Sequence, residues 1–92
     1  MRPEHGGTLE LKLERSSGED VVYAVTLQTP ESEWSASARV RVGDGQVTLE
    51  LEQAPGWLVD RARNVLRALW RAHADAGWPR RITRWRAGPE AS

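Results

Sequence analysis

The sequence predicts an α+β domain: an antiparallel meander sheet of four to five strands, ordered β-β-β-β-α-β, with one long helix packed on one face. Three observations carry this reading. Apolar residues recur at every second position through most of residues 8–52, the period of strands with one buried side. From Trp57 to Gly77 the spacing changes to three and four, through Leu58, Ala62, Val65, Leu66, Leu69, His73 and Ala76, which sets these residues on one side of a helix. Between the two regimes lies Gln53-Ala54-Pro55-Gly56, a stretch of turn chemistry. One helix laid over the inward side of a meander buries both patterns at once.

Each element follows from its residues. In Thr8–Glu14, Leu9, Leu11 and Leu13 point one way and Thr8, Glu10, Lys12 and Glu14 the other. Gly18, within Arg15-Ser16-Ser17-Gly18-Glu19, is placed to take the left-handed position of a three-residue hairpin loop. The second strand, Asp20–Gln28, directs Val21, Tyr23, Val25 and Leu27 inward, and Pro30 then sits where a type I turn favours it. A tight turn there sets Leu27 opposite Trp34, Val25 opposite Ala36 and Tyr23 opposite Ala38, large against small in the last two pairs. Asp44-Gly45 predicts a two-residue hairpin loop, which sets Val42 against Val47, Val40 against Leu49 and Ala38 against Leu51. That register also puts Arg39 opposite Glu50.

Pro55 suits the start of the helix, where its missing N–H has no partner to lose, and Gly77-Trp78-Pro79 ends it. Arg80–Arg86 forms a short fifth strand. Ile82 and Trp85 have opposite parity, so an edge position or a bulge is expected. Strand directions place this strand beside the first, in the sheet order 5-1-2-3-4.

With 92 residues, the chain holds one domain, residues 8–86, between a disordered leader, 1–7, and a disordered tail, 87–92. A domain of this size buries roughly 60 to 65% of its unfolded surface and has modest stability. No stretch reaches the roughly 20 apolar residues that span a bilayer, and Met-Arg-Pro-Glu-His-Gly-Gly has no apolar signal region. The absence of cysteine excludes disulfides and thiolate chemistry and fits a reducing compartment. A cytoplasmic location is the expectation.

Formal charge is zero, yet residues 1–54 carry ten acidic side chains against five basic ones, and residues 55–92 eight arginines against three acids. An acidic sheet and a basic helix with its tail attract one another, or steer an anionic partner to the helix side.

Catalytic and metal chemistry find little support. His5 lies in the leader, and His73 has no carboxylate at helical spacing on its own face, because Asp75, two residues away, points elsewhere. No serine occupies a strand-to-helix elbow. Gly43-Asp44-Gly45 and Gly6-Gly7 are too short to cradle a phosphate and read as turn and tail. No enzyme activity, cofactor or small-molecule ligand is expected.

Two binding readings remain. The outward sheet face has a small, nearly flat centre, Ala24, Thr26, Ser35 and Ser37, rimmed by Glu10, Arg39, Arg41 and Glu50. Small side chains permit close approach of a protein partner or a second copy, as in a homodimer. This makes a small non-enzymatic interaction module, binding protein or itself, the first expectation. The alternative is nucleic-acid binding. Arg63, Arg67 and Arg71 are spaced by four and form a row opposite the core, while Arg81, Arg84 and Arg86 follow Arg80 and surround Trp85. Of five tryptophans, Trp34, Trp57, Trp70 and Trp78 are assigned to plug the core, and Trp85 to an exposed edge.

Overall fold

The period-two half of the chain folds into strands and the period-3.6 half into one helix, in a computed structural model that describes residues 6–86. The strands are β1 (Gly7–Ser16), β2 (Asp20–Gln28), β3 (Glu33–Arg41), β4 (Val47–Thr48) and β5 (Arg81–Arg86), and the helix is α1 (Gly56–Ala76). They form one antiparallel sheet in the order β4-β3-β2-β1-β5, with α1 on one face. This is the expected α+β architecture and the expected strand order. Of the expected leader, 1–7, residues 1–5, with His5, lie outside the described residues, as does the tail, 87–92. Gly7, assigned to that leader, is instead the first residue of β1 and is buried, because its lack of a side chain lets Trp57 and Leu58 pack over it.

The core lies between sheet and helix. Leu9, Leu11, Val21, Tyr23, Val25, Leu27, Ala38 and Val40 meet Leu58, Ala62 and Leu66, all essentially inaccessible to solvent. Each such leucine or valine contributes about 1.5–3 kcal/mol by leaving water. Val59, outside the predicted stripe, is buried too, and Ala76, inside it, is exposed. The last turn of α1 therefore extends past the core it covers.

The β2–β3 register is as the turn chemistry predicts: Leu27 pairs with Trp34, Val25 with Ala36 and Tyr23 with Ala38. Two turns differ from expectation. Gly18 is not left-handed. The β1–β2 loop is closed by Ser17, whose hydroxyl oxygen accepts from the N–H groups of Glu19 and Asp20 and donates to the Asp20 carbonyl.

The β3–β4 register is displaced by two residues. Val40 pairs with Val47 and Arg39 with Thr48, rather than Val40 with Leu49 and Arg39 with Glu50. The loop holds four residues, 42–45, with Arg41 N–H bonded to Gln46 O and Gly45 N–H to Arg41 O. A shift of two keeps every side chain on its own face, so the inward pattern Val40, Val47, Leu49 is satisfied by either register. Trp70 selects the longer loop. Its indole N–H donates to Val42 O at 2.7 Å, and its ring lies so close to Gly45 that a Cβ there would stand 2.6 Å from ring carbons. Gly45 has φ +74, a left-handed conformation natural only to glycine.

Strand β4 is correspondingly short. Beyond Thr48 the chain leaves the ladder, and Leu49 drops into the core while its carbonyl accepts a 2.8 Å hydrogen bond from Arg63 Nη2.

The C-terminal end of α1 is closed by aromatic rings. His73 lies 5.1 Å from Trp78 and 6.5 Å from Trp70, centroid to centroid, and Trp78 lies 6.4 Å from Tyr23. The Tyr23 hydroxyl donates to Pro79 O at 2.7 Å, which ties the segment leading into β5 to the sheet. Burial pushes the Tyr23 phenol up to about 12. Gly77, with φ +72, ends the helix by donating to His73 O.

Candidate interaction surfaces

Helix α1 occupies one face of the sheet and leaves the other open. The open face is built from alternate residues: Glu10, Lys12 and Glu14 on β1, Val22, Ala24 and Thr26 on β2, Ser35, Ser37 and Arg39 on β3, and Thr48 on β4. A bulge at Glu14 reshapes it. Leu13 pairs with Tyr23 but Arg15 with Val22, so from Arg15 onward β1 changes parity and the Arg15 side chain turns onto the open face. Glu14 spans β2 to accept a 3.2 Å hydrogen bond from the Ser37 hydroxyl, and Val22 is only 8% exposed.

The result is a depression of about 830 Å³ lined chiefly by Glu14, Arg15, Val22, Ser37, Arg39 and Glu50. Its floor is small and neutral, and both signs of charge stand on its rim. Sequence reasoning found Ser37, Arg39 and Glu50 and missed the roles of Glu14, Arg15 and Val22. The fifth strand takes the edge position, one of the two expected for it, and the bulge occurs in the first strand, where the residues after Leu13 are all polar and offer no apolar pattern to betray a change of face.

The arginine row on α1 is not uniform. Arg67 and Arg71 are exposed. Arg63 is half-buried: it donates to Leu49 O and lies 3.9 Å from Asp60, and its Nε is buried without a hydrogen-bond partner. A spacing of four advances about 40° around a helix, so the row drifts from the edge of the buried stripe at Arg63 into solvent at Arg71. Arg63, expected opposite the core, acts at its margin.

The arginines of β5 divide between faces. Arg81 pairs with Lys12, and Trp85 with Thr8, on the open face; Ile82 and Arg84 have helix-side parity, and Arg86 pairs with Gly7 along the backbone. Ile82 is buried, while Arg81, Arg84 and Trp85 are exposed, Trp85 by 52%. Arg81 lies 3.5 Å from Glu10, an exposed pair of the kind worth a few tenths of a kcal/mol. At the other end of the open face, Arg41 binds Asp44 at 3.3 Å, and the Gln46 N–H with this guanidinium holds the Asp44 carboxyl below the usual range.

The other four described tryptophans, Trp34, Trp57, Trp70 and Trp78, pack half-buried against the core. His73 Nδ1 contacts Trp70 O and its ring stacks on Trp78. Among the described residues no group of three or more histidine, aspartate or glutamate side chains is placed to hold a metal ion, and no helix is long and apolar enough to cross a membrane. Compared with known proteins, the chain matches no family model, no curated protein and no solved structure.

Proposed function

We propose that this protein is a small non-enzymatic interaction module that associates with a second copy of itself through the open face of its sheet. The carrying observation is the arrangement of charge around the depression: Glu14 and Glu50 share its rim with Arg15 and Arg39, over a floor of Val22 and Ser37. A two-fold-related copy can set each carboxylate against a guanidinium, and the small residues Ala24, Thr26, Ser35 and Ser37 leave room for sheet-on-sheet approach at about 10 Å. Opposite charges meeting across such an interface fix register more than they add affinity.

Sedimentation velocity tests this reading. The wild type is expected to sediment as a dimer and Ser37→Glu, which sets a third carboxylate on the floor beside Glu14, as a monomer. A monomeric wild type at 100 µM, or an undiminished Ser37→Glu dimer, overturns it.

A second reading rests on β5. The half-exposed Trp85 shares the open face with Arg81, four residues along the same strand, and an aromatic that stacks a base on a face that also carries a cation for the phosphate backbone is how single strands are held. An electrophoretic shift with single-stranded oligonucleotides at low salt tests it; no shift at micromolar protein removes it.

A further inference from the structure

We propose that the edge of β3 from Glu33 to Ser37 is a strand-addition site for an extended peptide that alternates basic and apolar residues. This inference concerns the outward main-chain groups at the rim of the sheet; it shares Glu50 and the stretch from Ser35 to Ser37 with the face proposed for self-association, so peptide binding is measured in the Ser37→Glu background as well as in the wild type.

Backbone direction is the first observation. Arg41 N–H bonds to Gln46 O on the β4 side, and Val42 N–H bonds to Glu19 O on the β2 side. Main-chain groups alternate between neighbours along an antiparallel strand. Ser37, Ser35 and Glu33 therefore aim their N–H and C=O groups to the same side as Arg41, away from β2. Only Arg39 and Val40 pair with β4 in the ladder, so among the described residues no strand covers the stretch 33–37. That is an open template about 14 Å long, at about 3.4 Å per residue. Ser35 and Ser37 are exposed.

Chain geometry keeps the edge open. Had β4 continued, Glu50 would lie beside Ser37 and Glu52 beside Ser35. Instead Leu49 is buried in the core with its carbonyl on Arg63 Nη2, and the chain turns away. The space it leaves is a cleft of about 520 Å³ lined by Trp34, Ser35, Glu50, Leu51, Glu52 and Gln53. A bare edge with a cleft beside it is how sheet proteins receive an extended peptide: main-chain hydrogen bonds supply affinity, and alternate side chains find pockets.

Charge selects the occupant. The cleft contains two carboxylates, Glu50 and Glu52, and no cation. Glu33 at its end receives only the neutral amide of Gln28, and none of the three is in a salt bridge among the described residues. Side chains of an added strand alternate between the two faces of the sheet. On the helix side they meet the half-buried Trp34 and Leu51, which favours apolar residues; on the open side they meet Glu33 and Glu50, which favours lysine or arginine. Two copies of this edge would oppose acid to acid, which argues against β3 pairing with its own copy.

The test is fluorescence anisotropy with labelled Lys-Val-Lys-Val-Lys-Val and, as control, Glu-Val-Glu-Val-Glu-Val. The wild type is expected to bind the basic peptide at least tenfold more tightly than the acidic one. The double variant Glu50→Lys/Glu52→Lys, altered only at exposed positions, should reverse that preference. Ser35→Pro should weaken binding at least tenfold, since proline is tolerated at an edge facing solvent but removes the central donor; circular dichroism checks that it remains folded, and the lysine variants decide alone if it does not. Basic-peptide binding should persist in Ser37→Glu, so failure of the face-to-face dimer and failure of this site are separable. Equal affinity for the two peptides, an unchanged preference in the lysine variants, no binding at 1 mM, or occupation of this edge by a second copy instead of the peptide overturns the proposal.

Discussion

The two ends of the core use the same device with different strictness. At one end Trp57 and Leu58 lie over Gly7, where an added Cβ would stand 2.8 Å from the Trp57 ring and 3.0 Å from a Leu58 methyl. At the other end Trp70 lies over Gly45 at 2.6 Å, with a positive φ below it and an indole hydrogen bond to Val42 O. The first contact is packing alone, and its neighbours include the flexible tips of a leucine. In the second, a ring, a turn and a donor each require the same geometry. Specificity at the second end comes from that redundancy, and the register of the β3–β4 hairpin depends on it.

Substitutions can break this difference. Gly45→Ala should be the most damaging, at about 3 kcal/mol, because it combines a left-handed non-glycine residue with overpacking against a rigid ring. Urea denaturation checks it. In a Trp70→Leu background the same change should cost about half as much, leaving only the backbone part; an unchanged cost would mean that the indole contact is not the cause. Trp70→Phe, which orphans Val42 O and shrinks the ring, should cost about 2 kcal/mol, against about 1 kcal/mol for Trp57→Phe, where the contact is packing alone.

Gly7→Ala should cost about 1 kcal/mol, since Gly7 has no positive φ, the half-buried Trp57 meets it with only the outer edge of a ring that no hydrogen bond among the described residues holds in place, and the Leu58 methyls can yield. An effect equal to that of Gly45→Ala would erase the distinction between the ends. The smallest effect at neutral pH belongs to Tyr23→Phe, which removes the hydrogen bond to Pro79 O and should cost about 1 kcal/mol or less. Its signature is in alkali. The folded phenol titrates at about 12 against an ordinary 10.0, so its contribution is complete below pH 10 and is lost as pH rises toward 12. Stability of the wild type should fall across that window, and the fall should be shallower in Tyr23→Phe.

What could be read from the sequence follows the same division. Faces were legible wherever apolar residues alternated, which is why the inward sides of β1, β2 and β3, the strand order and most of the helix stripe match. Registers were legible only where the turn imposed them. The Thr29–Ser32 turn fixed β2 against β3, whereas Asp44-Gly45 suggested a shorter loop than the one Trp70 enforces from a distance of 28 residues. Long-range contacts of this kind leave no local trace.

The candidate surfaces divide likewise. Ser35, Ser37 and Arg39 could be placed on the open face by parity. Arg15 could not, because the bulge at Glu14 reverses parity among polar residues. Arg63 was misplaced for a helical reason, the slow drift of a row spaced by four, and its bond to Leu49 O is a tertiary contact that no spacing encodes. Ser17 closing the first hairpin in place of Gly18 is a case of two turn formers within one loop, where a hydroxyl accepting two N–H groups prevails over conformational freedom.

The two-residue displacement of β4 has a consequence for how this chain can vary. A hairpin whose faces repeat every second residue behaves as a ratchet with teeth two residues apart. Lengthening or trimming the 42–45 loop by a pair moves Val47 and Leu49 one notch and leaves both on the core side; a single insertion or deletion turns them out to solvent. Lineages descended from this sequence should therefore carry length changes here in even steps, and a change that shortens the loop should relax the demand for glycine at 45 and for tryptophan at 70 together.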